Sequence, residues 1–310
     1  MKKLALGLVF IVLCDAADTI TGAGATFPAP LYRKWLEAFQ SNHPGMAITY
    51  QAVGSGEGLK RLSAGEVDFA ASDIPVSDPN SVSIPAAEGA VVPIYNLPGI
   101  NGDLRLSSEI LAGIYLGSIR RWDDPAIKAA NRKLTLPGAE IVPVHRVDGS
   151  GTTFIWTSYL ARSNAGWKTS VGAAGEVQWP VGVAAAGNDG VAQKVRETPY
   201  AIGYAEFIYA LQNRLSYAAV RNDAGRFIQP DTESIRAAAA GASNENAYPV
   251  TAVTWFVVPL KMQADKRTRI LDFMNWMLDR GQNQAASLGF IPLSAEQLAK
   301  AHASLGMLKP

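Results

Sequence analysis

Three glycine-rich turns constrain the fold of this chain more than any other feature of its sequence. They read GAGATF at 22–27, GSGEG at 54–58 and DGSGTT at 148–153, and each precedes a helical pattern. A β-prone run precedes each of them. A strand, a glycine turn and a helix, repeated along a chain, predict a fold of the α/β class with a mainly parallel sheet.

Hydrophobic periodicity predicts further elements around these turns. Leu31, Trp35 and Phe39 fall four residues apart and predict one face of a helix that ends near Asn42. A second unit begins near Val91. The predicted strands are 19–21, 46–53, 67–71, the run before Arg146, 200–207 and 249–259. The other predicted helices are 59–64, 107–115, one after Gly151, one after Gly190, and a long amphipathic helix with Ile270, Phe273, Met274, Met277 and Leu278 on its apolar side.

The composition is that of a globular protein outside the nucleic-acid-binding classes. The chain has 310 residues, of which 48% are hydrophobic and seven are tryptophan, so it can bury cores in one large or two medium domains. Its formal net charge is +1, and its sequence carries no basic stripe. A nucleic-acid-binding domain is usually strongly basic, so nucleic acid is not an expected partner.

The N-terminus has the pattern of a secretory signal peptide, which we predict over residues 1–17. Two lysines near the start are followed by a short apolar run, residues 4–13, and then by the small residues Ala16 and Ala17. Because no second apolar run approaches the ~20 residues of a membrane-spanning helix, we expect a mature protein that is soluble outside the cytoplasm. A buried N-terminal helix is the alternative.

Cys14 is the only cysteine, and it leaves with the predicted signal peptide. The mature protein would then have no disulfide and no thiol chemistry. Lipid anchoring at Cys14 is the alternative. Leu13 argues against it, because a lipoprotein signal has a small residue at that position.

The three turns together predict a binding site for an anion. The start of a helix leaves backbone N–H groups unpaired and carries a partial positive charge. Glycine lets a ligand approach the backbone closely, and serine and threonine hydroxyls add donors. An ordinary N-cap is the alternative for each turn alone, but all three are predicted at strand ends, where open α/β sheets bind ligands.

A small tetrahedral oxyanion fits these turns better than a nucleotide does. The sequence has no G-x-x-x-x-G-K-[ST] motif, and GAGATF lacks the third glycine of a dinucleotide-binding loop. Arg146 can supply a bidentate contact and the compensating charge. A structural ion pair, for example with Asp148, is the alternative role for Arg146.

Asp73 follows the predicted strand at 67–71, where a negative charge should repel an anion. A carboxylate only accepts hydrogen bonds, so it favours a ligand that carries a proton. It would favour HPO₄²⁻ or H₂PO₄⁻ over fully ionised sulfate, whose lone pairs would face a buried acceptor. An ordinary turn aspartate is the alternative, and the residues alone do not separate the two.

Catalytic chemistry is not predicted. Ser150 lies in D-G-S-G-T rather than in G-x-S-x-G, and His145, five residues earlier, points to the opposite face of a strand. Three scattered histidines and no mature cysteine give no zinc pattern, and no cofactor is expected. A pair of catalytic carboxylates stays an open alternative, although Asp123 and Asp124 fit a helix-start turn.

Seven segments of the chain are informative in combination and in their order. They are GAGATFPAPLYRKW, YQAVGSGEGLKRL, VDFAASDIPVSD, IYLGSIRRWDDPAI, HRVDGSGTTFIWTSYL, GNDGVAQKV and YAIGYAEF. Together they resemble the periplasmic phosphate-binding protein of the high-affinity phosphate ABC transporter. The resemblance runs from about Ile20 to at least Phe290.

The resemblance implies an α/β fold of the two-lobed, type II periplasmic binding protein kind, with phosphate in the cleft. Each lobe would be a mixed, mainly parallel sheet flanked by helices, and two crossing strands would form the hinge. Lobe I would comprise residues 18–87 and 253–310, and lobe II residues 88–252, with the strand at 249–259 as the return crossing.

The resemblance also implies a receptor without enzymatic activity. Its ligand would be inorganic phosphate, its partners would be a membrane-embedded ABC permease and the ATPase of that permease, and it would be a monomer. The open alternatives on the same scaffold are an extracytoplasmic phosphatase and a phosphate-sensing or adhesion protein.

The resemblance assigns phosphate contacts to residues of all three turns and of the A-S-D strand end. Phe27 would bind through its backbone N–H, and Asp148 would pair with the arginine and steady it. The implied phosphate-binding residues are Thr26, Phe27, Ser55, Asp73, Arg146, Ser150, Gly151 and Thr152.

Two features depart from the family pattern. Glu57 stands where a small residue is more usual. Its carboxylate would be tolerated on the first turn of a helix if it points to solvent, but it would weaken anion binding if it faced the cleft. The segment 75–87 is short for the family, which leaves the position of the first crossing strand open.

Overall fold

Strands and helices alternate along the chain, as the glycine turns predict. The computed structural model describes residues 19–100, 103–239 and 244–308, so the predicted signal peptide (1–17) and Cys14 lie outside the described residues. The strands are β1 (Thr19–Gly24), β2 (Ala47–Ala52), β3 (Phe69–Ser72), β4 (Ser81–Tyr95), β5 (Arg105–Leu106), β6 (Val142–Arg146), β7 (Val183–Ala185), β8 (Ala201–Glu206), β9 (Ser216–Tyr217), β10 (Ala219–Arg221), β11 (Phe227–Ile228) and β12 (Thr251–Pro259).

The helices pack around these strands, and one of the longer helices continues through a π-helical turn. They are α1 (Ala29–Asn42), α2 (Ser55–Ser63), α3 (Ser108–Leu116), α4 (Pro125–Ala130), α5 (Gly151–Ser163), α6 (Ala165–Ser170), α7 (Gly187–Glu197), α8 (Phe207–Gln212), α9 (Thr232–Ala239), α10 (Ala264–Trp276), α11 (Gln282–Ala285) and α12 (Ala295–Gly306). The π-helical turn, Met277–Gly281, joins α10 to α11.

One mixed sheet runs through the described part of the molecule. Its order is β2-β1-β3-β12-β4-β8-β6-β7, with β9 paired to β4, and a small separate sheet has the order β11-β10-β5. At one end β1 is parallel to β2 and β3, and at the other end β6 is parallel to β7 and β8. The antiparallel pair β12 and β4 lies between these two parallel groups. The predicted α/β class, with mixed sheets flanked by helices, is confirmed. The described sheet is not mainly parallel, because the four antiparallel pairings of β12 and β4 equal the four parallel pairings in number.

β4 joins the two parallel groups as a single strand of 15 residues. Its first part, up to Ala90, pairs with β12, and its last part, from Val91, pairs with β8. The sequence pattern predicts a new unit near Val91 but misses the earlier part of the strand. The reason is that Pro85 and Gly89 are typical of strand breaks. The lobe boundary implied at 87/88 therefore falls inside a strand.

Two helices begin earlier than their patterns predict. α2 starts at Ser55 rather than at residue 59, and α7 starts at Gly187 rather than after Gly190. Glycine disfavours helix by about 1 kcal/mol per residue, so local propensity places these starts too late. Packing of the first turn of α2 against β1 overrides that propensity.

Aromatic packing fixes α1 against the sheet. Tyr32 stacks on Trp35 and on Phe256 of β12, with ring centroids 5.6 and 4.4 Å apart. Phe39 meets Phe273 of α10 edge to face at 5.4 Å. The predicted apolar faces of α1 and α10 are both buried, as expected.

Two features are absent from the described residues: a helix that could cross a membrane and a cluster of potential metal ligands. None of their helices is long and apolar enough to cross a membrane. Within residues 19–100, 103–239 and 244–308, histidine, cysteine, aspartate and glutamate side chains form no group of three or more that could hold a metal ion.

The close approach of α2 to β1 gives a test of this packing. A Cβ atom at Gly58 would lie 2.3 Å from the Cα of Gly24, a backbone atom that cannot move aside. We expect Gly58→Ala to lower the free energy of unfolding by about 1–3 kcal/mol, measured by urea denaturation. Gly306→Ala is the control, because that position has no atom within 4 Å of an added Cβ. Equal stability of the two variants would contradict the packing.

Candidate ligand-binding site

The predicted site residues come together at the carboxyl ends of the parallel strands. Thr26 and Phe27 follow β1, Ser55 is the first residue of α2, and Asp73 follows β3. On the other parallel group, Arg146 ends β6, Asp148 lies in the next turn, Ser150 caps α5, and Gly151 and Thr152 open that helix. All of these residues except Asp148 are buried.

The turns from the two parallel groups touch through their backbones. The N–H of Gly56 donates to the carbonyl of Gly149 at 3.0 Å. A Cβ atom at Gly151 would lie 2.4 Å from Oδ2 of Asp73 and 2.6 Å from Oγ of Ser55. Only glycine at this position lets the start of α5 approach Asp73 and Ser55 this closely.

Arg146 is a buried cation held by one carboxylate. Its side chain is 1% exposed, and its Nε donates to Oδ1 of Asp148 at 2.7 Å, while Nη2 donates to Oδ2. The N–H of Gly187 also donates to Oδ1 of Asp148, at 3.0 Å. Burial opposes ionisation of Asp148, but the hydrogen bond and charge of Arg146 outweigh burial and hold the pKa of Asp148 below its ordinary value.

The remaining donor of Arg146 is unsatisfied. Nη1 is buried and has no hydrogen-bond partner among the described residues. A buried guanidinium donor without an acceptor is costly, so such a group points to a ligand that supplies one. The geometry fits an anion, because the neighbouring turns contribute more donors.

The start of α5 provides those donors. Ser150 is the N-cap, and its Oγ accepts from the N–H of Thr153 at 3.0 Å. The N–H groups of Gly151 and Thr152 belong to the first helical turn, which has no intrahelical acceptor for them. The helix cap and the anion site that the sequence predicts therefore coincide at the start of α5.

Asp73 is a buried carboxyl group with two different oxygens. Oδ1 accepts from Oγ1 of Thr254 at 2.6 Å, whereas Oδ2 lies 3.5 Å from Oγ of Ser55 and faces Gly151. Burial raises the pKa of Asp73 to about 7, against the smaller lowering effects of Thr254, of the charge of Arg146 and of Ser55. The carboxyl group of Asp73, whose Oδ2 faces the start of α5, therefore gains or loses a proton near neutral pH.

Thr26 and Phe27 would offer different groups to a ligand, a side-chain hydroxyl and a backbone N–H. The hydroxyl of Thr26 accepts from Nδ2 of Asn188 at 2.8 Å. The ring of Phe27 is fully buried and meets Phe290 edge to face at 6.0 Å. Because the ring belongs to the core, the backbone N–H is the part of Phe27 that can serve a ligand, as the resemblance implies.

Sequence reasoning missed several residues that contact the predicted set, among them Thr254, Asn188 and Tyr204. Thr254 donates to Asp73, and Asn188 donates to both Thr26 and Thr152. The hydroxyl of Tyr204 lies 2.7 Å from Oγ1 of Thr153 and accepts from the N–H of Arg146 at 3.2 Å. Asn188 lies in the GNDGVAQKV segment and Tyr204 in the YAIGYAEF segment, and these two segments are the sequence signals that could have found them.

Glu57, whose direction the sequence left open, points away from the site. Its side chain is 39% exposed and accepts from Nε of Arg61 at 2.8 Å. That hydrogen bond lowers the pKa of Glu57. The carboxylate therefore does not oppose anion binding in the cleft.

The residues considered for catalysis make structural contacts, one in ring stacking and one in a helix cap. The ring of His145 stacks on Trp179 at 5.0 Å, and burial lowers the pKa of His145. Asp124 caps α4 by accepting from the N–H of Ala126 at 2.8 Å, which confirms the predicted helix-start turn. Neither His145 nor Asp124 contacts Ser150.

The known proteins that resemble this chain in family, sequence and fold agree with one another. A family model described as a PBP superfamily domain matches residues 15–280. The chain is 40% identical to the phosphate-binding protein PstS of Pasteurella multocida, over 97% of this chain and 94% of that one. It is also 40% identical to PstS of Haemophilus influenzae, over 90% of each chain. Its fold resembles that of a phosphate-bound, high-affinity periplasmic phosphate-binding protein, PfluDING, with a TM-score of 0.74 at 22% identity over 92% and 93% of the chains.

The raised pKa of Asp73 makes the stability of the ligand-free protein depend on pH. The folded protein keeps the Asp73 proton up to about pH 7, whereas the unfolded chain releases it near 3.8. This group therefore contributes stability below pH 3.8 that is lost as the pH rises towards 7. The amide that replaces the carboxyl group in Asp73→Asn has no such proton to lose.

We expect the stability of Asp73→Asn, relative to the unmodified protein, to increase between about pH 5 and about pH 8. Urea denaturation of both ligand-free proteins at the two pH values measures it. Arg146, whose charge acts on Asp73, is common to both proteins, and the raised pKa of Glu206 comes mainly from burial and only in smaller part from the charge of Asp73. A difference that is independent of pH would show that Asp73 does not titrate in this range.

The hydroxyl of Thr254 stabilises the ionised form of Asp73, so its removal should raise the Asp73 pKa above about 7. Thr254→Val removes the hydroxyl and keeps the shape of the side chain. Carboxyl-carbon NMR of the ligand-free protein measures the titration. Thr254→Ser keeps the hydroxyl and should leave the pKa near that of the unmodified protein; equal pKa values in the two variants would contradict the assignment.

Proposed function

Since the chain belongs to the PBP superfamily and, within it, to the PstS phosphate-binding proteins, we propose that it is the extracytoplasmic receptor that binds inorganic phosphate and delivers it to an ABC permease. Phosphate would be held between the turns of the two parallel groups. Its release to the permease would complete uptake without any bond being broken.

The buried guanidinium of Arg146 is the observation that carries this proposal. Its Nη1 is directed at no protein acceptor among the described residues, while Asp148 holds the rest of the group in a fixed orientation. An oxyanion supplies the missing acceptor and more charge than Asp148 alone provides. The proposed phosphate contacts are Thr26, Phe27, Ser55, Asp73, Arg146, Ser150, Gly151 and Thr152.

Asp73 is the proposed basis of selectivity for phosphate over sulfate. Phosphate near neutral pH carries a proton that it can donate to Oδ2 of an ionised Asp73. Sulfate can only accept, so it would require Asp73 to be protonated, and its binding would weaken as the pH rises above about 7. Selectivity should therefore increase with pH.

Two lobes are proposed, with residues 18–87 and 253–310 in lobe I and residues 88–252 in lobe II. Both boundaries fall inside strands, in β4 and in β12, and this supports a pair of crossing strands as the hinge. The bond from Gly56 to Gly149 would form when the lobes close. Closure would also remove water from the charges at the site, which strengthens their interaction.

The proposed location is the periplasm, reached through the signal peptide at 1–17, with lipid anchoring at Cys14 less favoured. The proposed partners are the membrane-embedded permease and its ATPase, and the receptor would act as a monomer. The protein is a receptor and not an enzyme, as in its PstS relatives. In keeping with this, Oγ of Ser150 serves as a helix cap that accepts from Thr153.

Isothermal titration of the purified protein with phosphate and with sulfate tests the proposal. We expect phosphate to bind, and the phosphate-to-sulfate affinity ratio to be larger at about pH 8 than at about pH 6. Asp73→Asn should lower the ratio roughly ten- to hundred-fold, because an amide can donate to sulfate, and should remove the part of its pH dependence that comes from Asp73.

Asp265→Asn is the matched control, since it removes the same charge from an exposed position on α10. It should leave both affinities unchanged. Absence of phosphate binding by the unmodified protein would overturn the function. An unchanged ratio in Asp73→Asn would overturn only the role of Asp73.

A further inference from the structure

Asn188 is a completely buried amide in the first turn of α7, and it connects three separate parts of the structure. Its Nδ2 donates to Oγ1 of Thr26 at 2.8 Å and to Oγ1 of Thr152 at 2.9 Å. Its Oδ1 accepts from the N–H of Glu206 at 2.8 Å. The two threonines come from turns of opposite parallel groups, and Asn188 lies between them.

The orientation of this amide is fixed by its neighbours. The N–H of Glu206 is an obligatory donor, so the amide oxygen must face it. The reverse orientation would place the NH₂ group against that N–H and leave both buried donors unsatisfied. Asn188 therefore presents its two N–H groups, and not its oxygen, to the threonines.

This orientation dictates the direction of the threonine protons. A hydroxyl has one donor and two acceptor sites. Oγ1 of Thr26 accepts from Nδ2 of Asn188 and also from its backbone N–H, at 3.3 Å, so both of its acceptor sites are occupied. Its only remaining capacity is to donate. Oγ1 of Thr152 likewise cannot donate towards Asn188, because it meets an N–H there.

We propose that Asn188 is a positioning residue: it leaves the Thr26 hydroxyl only a donor role, and it turns the proton of the Thr152 hydroxyl away from Asn188, so that both hydroxyls can donate to the bound anion. Asn188 does this without contributing a charge and without touching the ligand. The inference rests on the proposed function, because it needs phosphate in the cleft. It explains why two neutral hydroxyls, which could equally accept hydrogen bonds, serve an anion-binding site.

A purely structural role for Asn188 is the competing explanation, because the amide also satisfies the N–H of Glu206. The two roles differ in what they require of the threonines. A positioning residue acts through the Thr26 and Thr152 hydroxyls, so its effect on affinity should vanish when those hydroxyls are absent. A structural residue would affect affinity equally with or without them.

A mutant cycle with isothermal titration of inorganic phosphate separates these roles. In the otherwise unmodified protein, Asn188→Ala should weaken phosphate binding roughly ten- to hundred-fold, the value of one or two donors to a charged group. In the Thr26→Val/Thr152→Val background the same change should weaken binding by less than about threefold. The single Thr26→Val and Thr152→Val backgrounds should give intermediate values.

Thermal melting of each ligand-free variant checks that it is folded. If Asn188→Ala fails to fold, Asn188→Asp replaces it in the cycle, since an aspartate oxygen still accepts from Glu206. The charge that Asn188→Asp adds acts in every background, so only the part that passes through the hydroxyls disappears in the valine background.

Equal fold-changes in all backgrounds, or no weakening by either Asn188 variant, would overturn the inference and leave the proposed function intact. Failure of the unmodified protein to bind phosphate would instead overturn the proposed function itself.

Discussion

The guanidinium of Arg146 is 1% exposed and carries a full charge in the interior, where an unpaired ion is strongly unfavourable. Asp148 neutralises it and directs it, and Asp148 in turn is held by the N–H of Gly187 at the start of α7. Asp148 thereby links the end of β6, which carries Arg146, to the turn after β7, which leads into Gly187. Nη1 has no hydrogen-bond partner among the described residues, and the first turn of α5, which begins at Gly151, carries further N–H donors.

Much of this site follows from the sequence because it depends on local geometry. A glycine turn between a strand and a helix places free N–H groups at the carboxyl edge of a sheet, and three such turns must meet there if their strands are parallel. The turn pattern predicts such donors in general, whereas the individual contacts of Ser55, Arg146, Ser150 and Thr152 are implied by the resemblance to the family. Asp73 stands out because its charge contradicts the pattern around it.

The residues that sequence reasoning missed act over long separations along the chain. Asn188 bonds Thr26 from 162 residues away, and Thr254 bonds Asp73 from 181 residues away. No local period encodes such pairs, since each depends on the register of the whole sheet. The first part of β4 escapes prediction for a different reason. Pro85 and Gly89 are typical of strand breaks, but pairing with β12 and β8 keeps the strand continuous.

The register of β12 has a mechanical consequence. The pairing of β12 with β4 shifts between Thr254 and Trp255, beside the threonine that bonds Asp73, and Gln282 donates to the carbonyl of Ala86 on the facing strand. The group that would discriminate between anions is thus anchored to a strand that must flex when the proposed lobes move. The same segment of β12 would then set both the discrimination between anions and the stiffness of the hinge. A substitution there that alters one of these properties would also alter the other.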